Sequence, residues 1–268
     1  MFAERRIIEA LEGGEAAALH AAVGRLDLER ACAALPPELT RLRTHLAGVD
    51  PDEAFSKVPY EKGYLFLRTL EEAVGRAAFD AFLSRYITIF KWGTLTSEDF
   101  AAFVRAELPA AAVTVDMGAW LDRPGVPAGA PQPRSARLDA VTALGAALPG
   151  EGSAAWTPTE WVLYLERLPR PATAALCAAL DERFQLTASG NMEVCCTWLQ
   201  VALHAGHAAA LPRAEAVLLS IGRMKYLKPL YKALMERPET RERARACFAA
   251  AAAGYHPIAR QVVESVLR

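Results

Sequence analysis

The sequence predicts an all-α protein built in two helical parts, and three observations carry that expectation. Apolar residues recur at helical spacing through most of the 268 residues, and capping patterns stand in front of several of these stripes. The only strand-like stretch is the weak Ala112-Val113-Thr114-Val115. Composition agrees: apolar residues make up 53%, above the globular norm of about 45–50%. Much of that is alanine, which builds helices better than it fills cores.

The elements follow in order. Residues 2–12 read as a helix with Ile7, Ile8 and Leu11 on its apolar side. It has no cap or turn before it, a start that predicts further chain upstream. Gly13-Gly14 stops it, short alanine-rich helices run to about residue 34, and Pro36-Pro37 breaks the run. Leu39, Leu42 and Leu46 form another short apolar face. Asp50-Pro51-Asp52 is a turn and cap signal. The helix that starts at Pro59 and ends at Gly75 is apolar almost all round at its start, and is expected to lie deep. Residues 76–92 carry Phe79, Phe82, Leu83, Tyr86, Ile87 and Phe90 on one face. Thr96-x-x-Asp99 predicts a capping box for a helix over 97–107, which Pro109 closes. Trp120 belongs to a short helix or extended segment at 114–122.

Prolines and glycines crowd residues 124–134, and a semi-rigid linker is expected there, between a first domain at 1–123 and a second at 135–268. The second half is helix after helix: 135–148, a helix begun by Thr157-Pro158-Thr159-Glu160, one ending at Phe184, then 190–205, 211–222, 224–236, 239–253 and 257–267. Such lengths joined by short turns predict stacked antiparallel pairs, as in armadillo-like solenoids, although no strict repeat is visible.

Several function classes are excluded at this level. A net charge of −1 offers no long-range attraction to nucleic acid or to a membrane surface. Five cysteines, including the adjacent Cys195-Cys196, form no Cys-x-x-Cys and no disulfide framework. Reduced thiols and a cytoplasmic location are expected. The N-terminus has no leader-like apolar run, and no stretch is long and apolar enough for a membrane span. Nothing pairs a Ser or Cys nucleophile with a base, and no glycine-rich phosphate loop occurs. Arg5-Arg6 and the run at 241–245 read as solvated helix faces, and Cys195, Cys196 and Trp198 read as core.

One motif combines rare residues with a helix start: Val58-Pro59-Tyr60-Glu61-Lys62-Gly63-Tyr64. Pro59 suits the first turn, where its missing N–H is no loss. Tyr60 then sits near exposed N–H groups that favour negative charge, and its phenol is able to donate to a developing oxyanion. From pattern alone, Tyr60 and Tyr64 are also readable as one stripe of a buried helix.

The run from Asp50 through Gly63 resembles a segment of the leukotriene A(4) hydrolase and aminopeptidase B branch of the gluzincin aminopeptidases. Two further stretches match in the family's order: Ala119-Trp120-Leu121 with Pro124-Gly125-Val126-Pro127, and Gly222-Arg223-Met224-Lys225-Tyr226 with Lys228-Pro229-Leu230-Tyr231. The resemblance implies the C-terminal portion of a thermolysin-like catalytic domain followed by an armadillo-like helical domain. It also implies a zinc aminopeptidase acting on short peptides.

The family holds zinc with a helical His-Glu-x-x-His pair and a later glutamate. No such motif occurs among His20, His45, His204, His207 and His256. His204 and His207 are one turn apart but lack a paired carboxylate, and capping or surface roles suit them better. Phe2-Ala3-Glu4-Arg5-Arg6 resembles the family segment just beyond the last zinc ligand. The chain is therefore expected to be the C-terminal part of a larger enzyme, inactive by itself, with its zinc-bearing portion as partner. A non-catalytic helical interaction module derived from the family is the alternative.

By the resemblance, Tyr60 is the oxyanion-stabilising tyrosine, and Arg223 with Lys225 binds the substrate's C-terminal carboxylate. Arginine suits bidentate recognition and lysine a mobile charge, while a solvated turn is the plain alternative. Asp52 matches a residue that directs water to the lipid in the epoxide-hydrolysing member, and reads equally well as a helix cap. Phe55 departs from a family tyrosine, which puts that lipid activity in doubt.

Overall fold

The computed structural model describes residues 1–48 and 56–268, and every regular element among them is a helix. The chain divides into two units, Met1–Ser135 and Ala136–Arg268. The Asp50-Pro51-Asp52 turn and Phe55 lie outside the described residues.

The first unit opens with α1 (Phe2–Glu12) and α2 (Gly14–Ala34), which pack against each other. The short alanine-rich helices expected over 14–34 are one continuous helix. No proline interrupts that stretch, and its single interior glycine, Gly24, marks a close approach rather than a break. A Cβ there would stand 2.1 Å from Arg5 Nη2 and 2.3 Å from Glu61 Oε2. Helix α3 (Val58–Val74) lies against α1, α2 and α4 (Arg76–Phe90). Thr96 and Asp99 form the expected reciprocal capping box for α5 (Ser97–Glu107). The strand-like stretch at 112–115 instead falls largely within α6 (Pro109–Thr114), since Pro109 starts a new helix rather than only closing the previous one. Helix α7 (Met117–Leu121) follows and places Trp120 in the core, stacked on Phe66 with ring centroids 5.6 Å apart.

Aromatic packing holds this unit. Phe82 contacts Tyr86, Phe100 and Phe103 at 5.3–6.4 Å between centroids, within the range where such pairs add stability beyond area burial. Residues 124–134 lie against the same core. Ala130 is buried in it, Val126 packs on it, and the Gly125 N–H donates to Thr40 Oγ1 at 2.8 Å.

Arg5 and Arg6 are not on a solvated face. Arg5 is buried and pairs with buried Glu61 at 2.6 Å, its guanidinium 4.0 Å over the Tyr64 ring. Arg6 reaches Glu71 at 2.9 Å and Asp80 at 2.6 Å. The start of α3 is deep, as expected, yet it carries buried Glu61 and Lys62 beside its apolar residues. Lys62 is fully buried and donates to the carbonyls of Thr40 at 3.0 Å and Arg123 at 2.7 Å. Burial depresses its ammonium to about 8; the Cys32 thiol nearby opposes that shift and Arg41 adds to it.

The second unit runs α8 (Ala136–Ala143), α9 (Pro158–Arg167), α10 (Ala174–Phe184), α11 (Met192–His204), α12 (Ala210–Ser220), α13 (Met224–Glu236), α14 (Arg241–Ala251) and α15 (Pro257–Leu267). Helices α9, α11, α13 and α15 pack in one row, α12 and α14 in a second, and neighbours join the rows. This is the armadillo-like arrangement of stacked pairs. Thr157 and Glu160 form the capping box that starts α9. Cys195, Cys196 and Trp198 lie in the core on α11.

Candidate active-site elements

Tyr60 stands in the first turn of α3, two residues into the helix that Val58 begins. The Val58 N–H is satisfied by Ser56 Oγ at 3.2 Å, and Pro59 has no N–H to satisfy. The two tyrosines of the motif have different surroundings. Tyr64 is half-buried under Arg5 and beside Phe2, whereas Tyr60 is 45% exposed. Tyr60 also lines an open pocket of about 430 Å³, together with Phe2, Tyr64, Leu67, Tyr86 and Phe100. A phenol is able to donate a hydrogen bond to a developing oxyanion. Asp52 lies outside the described residues.

Arg223 is the N-cap residue of α13 and Lys225 sits in its first turn, both exposed. They share Tyr226: the Arg223 guanidinium lies 5.6 Å and the Lys225 ammonium 5.9 Å from its ring centroid. Tyr226 itself is buried, so the ring is a fixed platform under two cations.

A third charge completes the cluster. Lys225 Nζ donates to Glu193 Oε2 at 2.5 Å, and the Tyr226 hydroxyl donates to Glu193 Oε1 at 2.7 Å. Glu193 occupies the first turn of α11, where the Asn191 side chain caps its N–H at 3.0 Å. Burial pushes the Glu193 carboxyl up, but the bonds from Lys225 and Tyr226 and the charge of Arg223 outweigh burial and hold it below the usual glutamate range. Sequence spacing gives no hint of this, because α11 and α13 meet only through packing.

The two histidines one turn apart face different partners. His204 places Nδ1 on the Gln200 carbonyl at 2.5 Å and Nε2 on Glu236 at 2.6 Å. His207 bonds Asp181 at 2.9 Å, within a network in which Thr187 also donates to Asp181 and accepts from Trp198 Nε1. Among the described residues no group of three His, Cys, Asp or Glu side chains converges as a metal site.

Two family profiles match the chain, "Peptidase family M1 domain" over residues 1–120 and "Leukotriene A4 hydrolase, C-terminal" over residues 156–267. The chain belongs to the M1 peptidases, in their leukotriene A(4) hydrolase branch. It is 34% identical to leucine aminopeptidase 2 of Neosartorya fischeri over 99% of its own length and 46% of that protein, with the same figures for leucine aminopeptidase 2 of Aspergillus niger. Among solved structures, yeast leukotriene A(4) hydrolase in complex with bestatin superposes with a TM-score of 0.90 at 27% identity, covering 100% of this chain and 48% of that one. The chain thus spans about half the length of the relatives it matches. The M1 match includes Tyr60, and the C-terminal match includes Glu193, Arg223, Lys225 and Tyr226. As an M1 member the chain comes from a family of zinc metallopeptidases. No helix among the described residues is long and apolar enough to cross a membrane.

Proposed function

We propose that this chain supplies part of the active site of a zinc-dependent aminopeptidase that removes N-terminal residues from short peptides. Tyr60 donates its phenol hydrogen bond to the oxyanion that forms when the scissile carbonyl is attacked. Arg223 and Lys225 anchor the C-terminal carboxylate of a peptide substrate, and Asp52 contributes to substrate binding. The zinc ligands belong to a portion outside these 268 residues, so the chain by itself neither holds catalytic zinc nor turns over. Residues 1–123 are the helical part of the catalytic domain, 124–134 the connection, and 135–268 the domain that carries the anchor. A cytoplasmic location fits this reading.

The observation that carries the proposal is Tyr60: in the first turn of α3, next to buried Glu61 and Lys62, this residue is 45% exposed and lines a pocket within the M1-matched region. The preorganised donor is expected to contribute about 10²–10³ in rate. The test assays the purified chain for zinc and for hydrolysis of an aminoacyl chromogenic substrate, then repeats both with a family segment bearing His-Glu-x-x-His supplied in trans or in cis. Activity only in the second case, with Tyr60→Phe lowering kcat by about 10²–10³ at little change in KM, is expected. Stoichiometric zinc and turnover by the chain alone, or a full kcat for Tyr60→Phe in the restored enzyme, overturns it.

A further inference from the structure

We propose that Glu193 is a specificity-determining residue of the anchoring site, setting which C-terminal residue of a peptide the Arg223–Lys225 pair accepts. The inference rests on the reading of that pair as the carboxylate anchor. It deepens that reading by adding a negative charge that the cations alone do not predict.

The geometry carries it. Glu193 spends one carboxylate oxygen on Lys225 Nζ and the other on the Tyr226 hydroxyl, and Tyr226 is the platform beneath both cations. Its place is fixed from behind by the Asn191 cap on its own N–H and on that of Val194, and the first turn of a helix favours its negative charge. Two cations and one anion leave a net charge of +1 on the cluster. That balance suits one carboxylate. A second negative charge, from a C-terminal Asp or Glu side chain, meets only one surplus cation and the repulsion of Glu193. A C-terminal Lys or Arg side chain gains an acid to approach. Glu193 also holds Lys225 against the platform, which restricts the ammonium's reach, while the Arg223 guanidinium stays over the Tyr226 ring.

The effect is modest because the pair is open to water: Lys225 and Glu193 side chains are 51% and 41% exposed. Interactions of this kind change affinity by about two- to fivefold. Its signature is a dependence on ligand charge, which a merely structural role for Glu193 would not produce.

The experiment titrates the 268-residue chain with Gly-Gly-Gly, Gly-Gly-Asp and Gly-Gly-Lys by NMR, for the wild type, Glu193→Gln and Arg223→Ala. Glu193→Gln removes the charge while its amide oxygen still accepts from Lys225, and its amide NH2 faces the Tyr226 hydroxyl, whose oxygen accepts in turn. The wild type is expected to prefer Gly-Gly-Lys to Gly-Gly-Gly and Gly-Gly-Gly to Gly-Gly-Asp. Glu193→Gln is expected to tighten Gly-Gly-Asp by about fivefold, tighten Gly-Gly-Gly less, and weaken Gly-Gly-Lys by about twofold. An equal change for all three peptides, or none, overturns the role of Glu193 while leaving the anchor intact. Binding that is absent, or indifferent to Arg223→Ala, overturns the anchor and the inference together.

Discussion

Replacing Glu61 by leucine tests the buried ion pair in the first turn of α3, one residue beyond Tyr60. Glu61 and Arg5 side chains are 5% and 7% exposed, and their 2.6 Å contact joins α1 to α3 beneath Gly24 of α2. Without the carboxylate, the guanidinium keeps the Tyr64 ring at 4.0 Å and the His20 carbonyl at 3.4 Å. Neither neutralises its charge, and Arg5 Nη1 already has no hydrogen-bond partner. Stranding one partner of a buried pair costs about 3–5 kcal/mol, against a total of about 5–15 kcal/mol for a typical domain. The first unit of Glu61→Leu is therefore expected to be close to its unfolding threshold. The double variant Arg5→Met/Glu61→Leu removes the stranded charge and is expected to recover most of the loss, since apolar replacements of whole buried pairs are often neutral or better. Urea denaturation of the three proteins, with amide exchange in α1 to α3 as a unit-specific probe, measures both steps. A loss below about 1 kcal/mol for Glu61→Leu, on the scale of a surface pair, would refute the reasoning.

Two further predictions concern the first unit. Lys62 is depressed to about 8 from its ordinary 10.5 by burial. Between those values the unfolded chain binds more protons than the folded one, so stability rises as pH increases from 8 to 10.5 and is flat below 8. Relative to Lys62→Met, the wild type should gain up to on the order of 3 kcal/mol across that window; a difference that stays constant with pH contradicts it. Exposed large apolar residues concentrate in the first unit, with Leu11 at 78%, Val113 at 88% and Trp92 at 98%. Limited proteolysis of the intact chain should consequently degrade residues 1–135 before 136–268, and the reverse order would show that the second unit is the weaker.

The architecture was legible because its signals are local. Capping boxes at Thr96 and Thr157 act over three residues, and the α4 stripe needs only the period of its own helix, although Ile87, read on it, is exposed. Where local cues were weak the reading slipped. Alanine runs hid the continuity of α2, and Pro109 was read as a stop when it also serves as a start. Asp52, on which a cap and a substrate role compete, falls outside the described residues.

The sequence by itself determined the all-α class, most helix bounds, the family, and Tyr60, Arg223 and Lys225 as the side chains to examine. Only the tertiary structure decided their surroundings. It put Tyr60 in an open pocket and Tyr64 under Arg5, and turned Arg5 from an expected surface residue into half of a buried pair with Glu61. It joined Glu193 to Lys225 and Tyr226, and sent His204 and His207 to different acids. The reason is physical. A helix start or an amphipathic face is fixed by interactions a few residues long, which the sequence displays side by side. A charge's partner is fixed by which helices pack, and that depends on the burial of many apolar groups at once.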